Sequence, residues 1–212
     1  MRAQGACTDV ATCVLMLVVD PRIVDLGPVL SAVPTVPVWY FTNHSGLFGA
    51  HHPRVRYLPT PARTWQDYNR VLRSAWFWRQ LPVPYALLFE RDSFFCKHPT
   101  FSLPFFLREM VEYRYVLMGA PWRDEHWWCR LKGRCVGNSG LSLLNVDSVV
   151  QLLPNRSDTA YKLDSSLHRR AVAAHLPLPP NEIAEKFSME STRRAAWFTP
   201  FGCHKRRCCE SW

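Results

Sequence analysis

The sequence contains no C-x-x-C pair, no finger-like spacing of Cys and His, and no RNA-binding signature. Structural zinc and the common nucleic-acid modules are therefore not expected. Long apolar runs are absent too. The longest clean one near the start, Cys13 to Val19, is closed by Asp20 and Pro21, whereas a membrane span needs about 20 residues. Arg2 precedes the run but so does Asp9, and no small-residue cleavage site follows it. It reads as a buried strand and not as a signal peptide. The expectation is a chain with no transmembrane segment or secretory leader, cytoplasmic by default. Internal repeats and low-complexity tracts are also missing.

Acidic residues are in short supply, 17 against 26 Lys and Arg, which leaves a net charge of +9. Three anionic partners fit such a balance: nucleic acid, a membrane surface, or a phosphorylated substrate. A basic surface with no dedicated ligand fits equally, so charge alone selects nothing. What is plentiful is apolar surface. The chain of 212 residues is 48% hydrophobic and carries nine Trp and twelve Phe, enough for one α/β domain with a real core and aromatic-lined concavities. The expected domain is 1–212, with 1–11 and 207–212 loosely attached. Its eight cysteines are expected to be reduced, with those in strands buried. Cys129 and Cys135 flank a short basic loop and suit a bridge in an oxidising compartment. Asn43-His44-Ser45 and Asn155-Arg156-Ser157 are glycosylation triplets that matter only in a secretory lumen.

Hydrophobic pattern predicts alternating strands and helices. Val14–Val19 reads as a central parallel strand, Val38–Thr42 as a second and Val55–Leu58 as a short third. Asn43 to Gly46 forms a turn, and Pro28 to Val38 mixes a short helical segment with proline breaks. Thr64–Arg79 reads as one helix, with Thr64 as N-cap and Asp67 completing a capping box. Its predicted buried face holds Trp65, Tyr68, Leu72, Ala75 and Trp76, with Phe77 also inside. Further strands are expected at Tyr85–Phe89, Tyr115–Met118 and Gly140–Leu144, and helices at Phe101–Tyr113, Val146 to about Leu153, and Asp158–Ala174. Arg193–Pro200 is a last strand or loop. This alternation implies a three-layer α/β/α sandwich around an open, mostly parallel sheet. Ligands of such sheets bind beyond the carboxyl ends of the strands, and Asp20, Glu90, Asp92 and Gly119 all fall at strand exits.

Three short constellations carry possible chemistry. Glu90 and Asp92 leave the Tyr85–Phe89 strand at alternate positions and so point to one side. Such carboxylates hold a divalent cation through hard oxygens, although a turn with a salt-bridged Arg91 is the commoner use of this pattern. Gly137-Asn138-Ser139-Gly140 allows close backbone approach to a ligand and offers polar groups for sugar hydroxyls; an ordinary turn does the same. His204 and Lys205 offer an imidazole for a metal and a point charge for phosphate, or simply begin a solvated basic tail.

Six segments, in order, resemble an uncharacterised, domain-of-unknown-function family of glycosyltransferase-like domains with the GT-A type nucleotide-diphospho-sugar transferase fold. They are Asp67-Tyr68-Asn69 with Phe77-Trp78, Leu88 to Ser93, Met118 to Trp122, Val136 to Leu143, Ala184 to Glu190, and Phe201 to Lys205. The likeness runs from about 14 to 206. It implies that Asp92 occupies the acidic metal-binding position, with Glu90 in place of a usually neutral residue, and that His204 is a third ligand of Mn²⁺ or Mg²⁺. It implies further that Gly119, Trp122, Asn138, Ser139 and Gly140 wall the sugar and acceptor side. Lys205 would face the diphosphate. The family's acidic pair before a later helix aligns with Ser157-Asp158, which keeps Asp158 as candidate base and lacks its partner. The function implied is transfer of a sugar from a nucleotide-diphosphate sugar to a hydroxyl of a glycan, protein or small molecule, without specific nucleic-acid binding. Two alternatives stay open: a nucleotide-sugar or glycan-binding relic without turnover, and a basic RNA- or membrane-associated protein on the same fold.

Overall fold

Six consecutive aliphatic residues, Val14–Val19, form β1, and every one of them is buried. Their side chains alternate between two apolar clusters: Val14, Met16 and Val18 join one, and Leu15, Leu17 and Val19 join the other. A strand sandwiched in this way has no wet face, which is why its sequence shows no polar alternation. Truncating Leu17, which is fully enclosed, to Ala is expected to cost about 2–5 kcal/mol.

The structure is a computed structural model that describes residues 7, 9–20, 23–48, 51–96, 98, 100–122, 135–154, 162–190 and 199–204. β1 pairs in parallel with β2 (Val38–Thr42) and β4 (Tyr85–Phe89), and β3 (Val55–Pro59) extends the sheet in parallel beyond β2. On the other side β7 (Val136–Asn145) runs antiparallel to β4 and to β6 (Leu117–Pro121). The strand order is β3-β2-β1-β4-β7-β6. One face is covered by α1 (Val10–Cys13), α2 (Gly27–Ala32) and α5 (Leu103–Glu112). The other carries α3 (Trp65–Leu72), α4 (Ala75–Arg79), α6 (Val146–Leu152) and α7 (Leu163–Ala173). α8 (Asn181–Phe187) contributes Phe187 to the first cluster and Ala184 to the second. The expected three-layer α/β architecture is the observed one. No described helix is long and apolar enough to cross a membrane.

Several local expectations need correction. The segment read as one helix from Thr64 to Arg79 is two. The capping box of Thr64 and Asp67 opens α3 as anticipated, but Ser74 is extended (φ −99°, ψ 122°) and starts α4 afresh. The indole N–H of the fully buried Trp78 donates to the Leu72 carbonyl at 2.6 Å, and the Ala75 N–H to Pro154 at 3.0 Å. These tertiary bonds fix the break and turn Phe77 and Trp78 inward. Trp65 and Trp76, predicted inside, are 37% and 63% exposed. Helix α7 begins at Leu163; residues 158–161 of the longer predicted helix, and 193–198 of the predicted last strand or loop, lie outside the described residues.

The thiols also differ from expectation. Cys7 and Cys13 form a disulfide, and none of the described cysteines, Cys96, Cys135 and Cys203 included, is free. The single turn of α1, capped by Asp9 accepting from the Ala11 N–H at 3.0 Å, brings the Cα atoms of Cys7 and Cys13 to 5.7 Å, within bridging range. Spacing in the sequence gave no sign of this pair. Cys129 lies outside the described residues.

A second, three-stranded sheet escaped the sequence reading: β5 (Ser93–Phe95), β9 (Gly202–His204) and β8 (Ser188–Glu190), in the order β5-β9-β8. Each strand has three residues, too few for a periodicity to show. β9 is antiparallel to β5 and parallel to β8, and the register aligns Ser93, His204 and Glu190 in one row. That row forms one side of the candidate site.

Candidate functional site

The site starts where β4 ends. The Glu90 N–H donates to the Gly140 carbonyl at 2.8 Å, and the Ser93 N–H returns to the Glu90 carbonyl at 2.9 Å. Residues Glu90 to Ser93 therefore close a β-turn. Glu90 and Asp92 converge through this turn, not through the two-residue period of an extended strand. The Ser93 hydroxyl donates to the same Gly140 carbonyl at 2.6 Å, which ties the small sheet to β7.

β7 reaches the site because it is irregular. Gly119 of β6 pairs with Ser142, yet Ala120 pairs with Asn138, so the register shifts there and again before Pro121. Bulged strands bend and re-aim their residues, and here Ser139 and Gly140 leave the β6 ladder. Gly137 has φ +124°, a conformation that favours glycine. A β-carbon on Gly119 would collide with the Asn138 carbonyl. The Gly137–Gly140 segment, expected as a loop ahead of a strand, thus belongs to β7, and Gly119 lies within β6 instead of after it.

His204 enters from β9 and is 3% exposed. Its Nε2 lies 3.2 Å from Glu90 Oε2 and 3.2 Å from Asp92 Oδ1, and its Nδ1 lies 3.3 Å from Glu190 Oε1. None of these contacts has hydrogen-bond geometry, so both ring nitrogens are buried without a directed partner. One ligand atom from each of Glu90, Asp92 and His204 falls within 4.8 Å of the others. Burial pushes the His204 pKa down, but Asp92, Glu190 and Glu90 together push it up further, to about 10.

Asp164 was missed in the sequence. It sits in the first turn of α7, is 8% exposed, and its pKa is raised, by burial first. The backbone N–H groups of Ser165 and Ser139 oppose that rise, while the charge of Glu90 reinforces it. The sequence pattern starts this helix at Asp158, and the family resemblance points to Asp158 as candidate base, whereas the helix that carries Asp164 begins at Leu163. Placing the helix start at Leu163 would have singled out Asp164.

Among the expected site residues, the structure brings Glu90, Asp92, His204 and Gly140 together. Asn138 joins them indirectly: its side-chain N–H donates to Glu190, and its Oδ1 accepts from the Gly140 N–H at 3.1 Å. Trp122 is half-buried; its backbone N–H donates to the Cys135 carbonyl at 2.7 Å and its ring meets His168 edge-on at 5.3 Å. His168 stands one helical turn after Asp164 on α7, so the Trp122 ring lies against the helix that carries the buried acid. Asp158 and Lys205 lie outside the described residues.

Three solved structures are similar to this chain. A galactosyltransferase, LgtC, in complex with donor and acceptor sugar analogs is 9% identical, with a TM-score of 0.48 over 94% of this chain and 92% of that one. The bifunctional IspDF from Campylobacter jejuni is 5% identical, with a TM-score of 0.43 over 74% of this chain and 47% of its own. The mannosyltransferase Ktr4p from S. cerevisiae is 10% identical, with a TM-score of 0.41 over 79% and 63% respectively. At these scores none of their activities transfers to this chain. No curated protein matches its sequence. Residues 53–204 match the model of the family described as "Protein of unknown function (DUF5672)"; that is more than half of the chain, and the chain belongs to this family.

Proposed function

We propose that this domain is a metal-dependent glycosyltransferase that moves a sugar from a nucleotide-diphosphate donor to an acceptor hydroxyl. The observation that carries the proposal is His204: a buried imidazole with both nitrogens undirected, and two carboxylates converging on Nε2 at a strand exit. The donor set fits a divalent cation. Two hard carboxylates suit Mn²⁺ or Mg²⁺, and the imidazole favours Mn²⁺ of the two. Glu90, Asp92 and His204 would hold it, and its charge would offset the negative charge that builds on a departing diphosphate.

The remaining chemistry falls to the chain. Lys205, the residue after His204, supplies a second positive charge for the diphosphate. Asp164 is the proposed base, in place of Asp158. Its carboxylate takes the proton from the acceptor hydroxyl while that oxygen bonds to the anomeric carbon and the sugar–phosphate bond breaks towards the diphosphate. Burial raises its pKa, which strengthens it as a base. Ser139, whose backbone N–H faces Asp164, and Gly140, against the His204 ring, link the metal ligands to Asp164, and Trp122, packed on α7, is the proposed stacking surface for the sugar or acceptor. Gly119 serves the site by letting the backbone of β7 approach.

The experiment is a comparison of Mn²⁺-dependent binding of nucleoside diphosphates, and of their sugars, to wild type and Asp92→Asn. Asn keeps the volume and removes the charge that a hard cation needs. Nucleotide affinity should fall sharply in the variant while the metal-free fold survives. Equal affinity in saturating Mn²⁺ ends the metal reading. Tight binding with no sugar transfer to any acceptor leaves a binding domain and removes the enzyme.

A further inference from the structure

The two nitrogens of His204 face different groups. Glu90 and Asp92 approach Nε2, whereas Glu190 alone among the described carboxylates approaches Nδ1, with Oε1 at 3.3 Å. Glu190 stands directly beside His204 in the parallel pairing of β8 and β9, and its side chain is only 11% exposed. Its other oxygen, Oε2, accepts from the amide of Asn138. Asn138, 6% exposed, accepts in turn from the N–H of Gly140. The ring of His204 lies against that same glycine. Gly140, Asn138, Glu190 and His204 therefore form a closed circuit around the imidazole.

An imidazole can give a lone pair to a cation at Nε2 only if its remaining proton is on Nδ1. A carboxylate facing Nδ1 stabilises that tautomer and fixes the plane of the ring. A carboxylate this buried is costly without a donor to answer it; Asn138 supplies one, and Nδ1 of His204, 3.3 Å away, is the group placed to answer the other oxygen. We propose that Glu190 is the positioning residue of the metal centre: it holds the proton of His204 on Nδ1 and keeps Nε2 turned to the cation, while Asn138 holds Glu190. The inference rests on the metal reading above and assigns to that site a residue outside the ligand set. Asn138 becomes a structural brace in this scheme, in place of the sugar contact that its sequence context indicates.

Glu190→Gln tests it. With Asn138 still donating to the Gln oxygen, the Gln amide faces Nδ1 as a donor and drives the proton to Nε2. The full chain, labelled with ¹⁵N-histidine, is read by long-range ¹H–¹⁵N correlation with Mg²⁺ present, and Mn²⁺ affinity is measured by calorimetry without nucleotide. Wild type should show an Nδ1–H tautomer at His204. Glu190→Gln should show Nε2–H and bind Mn²⁺ about 10–100-fold more weakly with its thermal unfolding cooperative. Asn138→Ser leaves the carboxylate in place and should weaken Mn²⁺ binding in the same direction by less, which keeps the test open if Glu190→Gln does not fold. Wild type that takes up no Mn²⁺ overturns the metal reading itself. Wild type that binds Mn²⁺ while Glu190→Gln binds it equally, or keeps the Nδ1–H form, overturns the role of Glu190 alone.

Discussion

The imidazole of His204 occupies the space that a β-carbon on Gly140 would fill. The glycine lies in the bulged part of β7 and the histidine on β9, 64 positions later in the chain (204 − 140). Contact between them sets how deeply the ring sits beneath Glu90 and Asp92. Gly140→Ala should therefore displace the ring, because a buried ring held between the small sheet and β7 of the central sheet has no free rotamer to adopt. The expected cost is about 1–3 kcal/mol of stability together with loss of Mn²⁺ binding. Calorimetric titration beside a urea melt separates the two; an Ala variant that binds Mn²⁺ like wild type would mean the ring position is unimportant.

Asp164→Asn should raise stability and lower turnover. The fold raises the pKa of this buried acid, so it favours the neutral form over the charged one. That contribution to stability is complete below the ordinary carboxylate value and is lost as pH rises through the raised folded one. At neutral pH an uncharged isostere avoids the burial cost, and the melting temperature should increase. Mn²⁺ and nucleotide affinity should be unchanged while sugar transfer falls by roughly 10²–10⁴-fold, the usual scale for a general base. A variant that transfers sugar normally excludes Asp164 as the base.

Metal binding should be linked to protons. Without metal, the fold holds the His204 pKa at about 10 against an ordinary 6.5. The corresponding stabilisation is complete below the lower value and disappears as pH rises through the higher one. Mn²⁺ needs an unprotonated Nε2, so its binding must expel a proton and tighten with pH across that window. Calorimetry at about pH 8 in buffers of different ionisation enthalpy should report about one proton released per ion. Binding that leaves no proton behind would show that His204 is not a ligand.

The Cys7–Cys13 bridge closes a loop of sequence separation 6 ahead of the central strand. On chain-entropy grounds its removal by Cys7→Ser with Cys13→Ser should cost about 2 kcal/mol. The proposed metal ligands come from the turn after β4 and from β9, so Mn²⁺ affinity at low temperature should survive the change. Denaturant melts with and without the bridge measure the first effect; a loss of Mn²⁺ binding without unfolding would show that the bridge acts on the site.

The layers follow from local pattern alone. An uninterrupted aliphatic run from Val14 to Val19 has one stable place, a strand covered on both faces, and the Thr64 and Asp67 pair encodes its helix start in four residues. Local signals of this kind need no knowledge of the rest of the chain, so β1, β2, β4 and α3 were legible. The candidate ligands Glu90, Asp92 and His204 were legible too, through residue chemistry at strand exits and a family resemblance. Tertiary structure decided everything that depends on distant partners. Trp76 faces outward because Trp78 bonds back to Leu72 and Ala75 to Pro154, and no helical period contains that information. β5, β8 and β9 exist only as one another's partners, three residues each. Asp164 and Glu190 acquire their character from burial and from neighbours on other elements. Charge and hydrogen-bonding in a low-dielectric interior are properties of assembled groups, so the inner ring of the site could be read only once the strands had met.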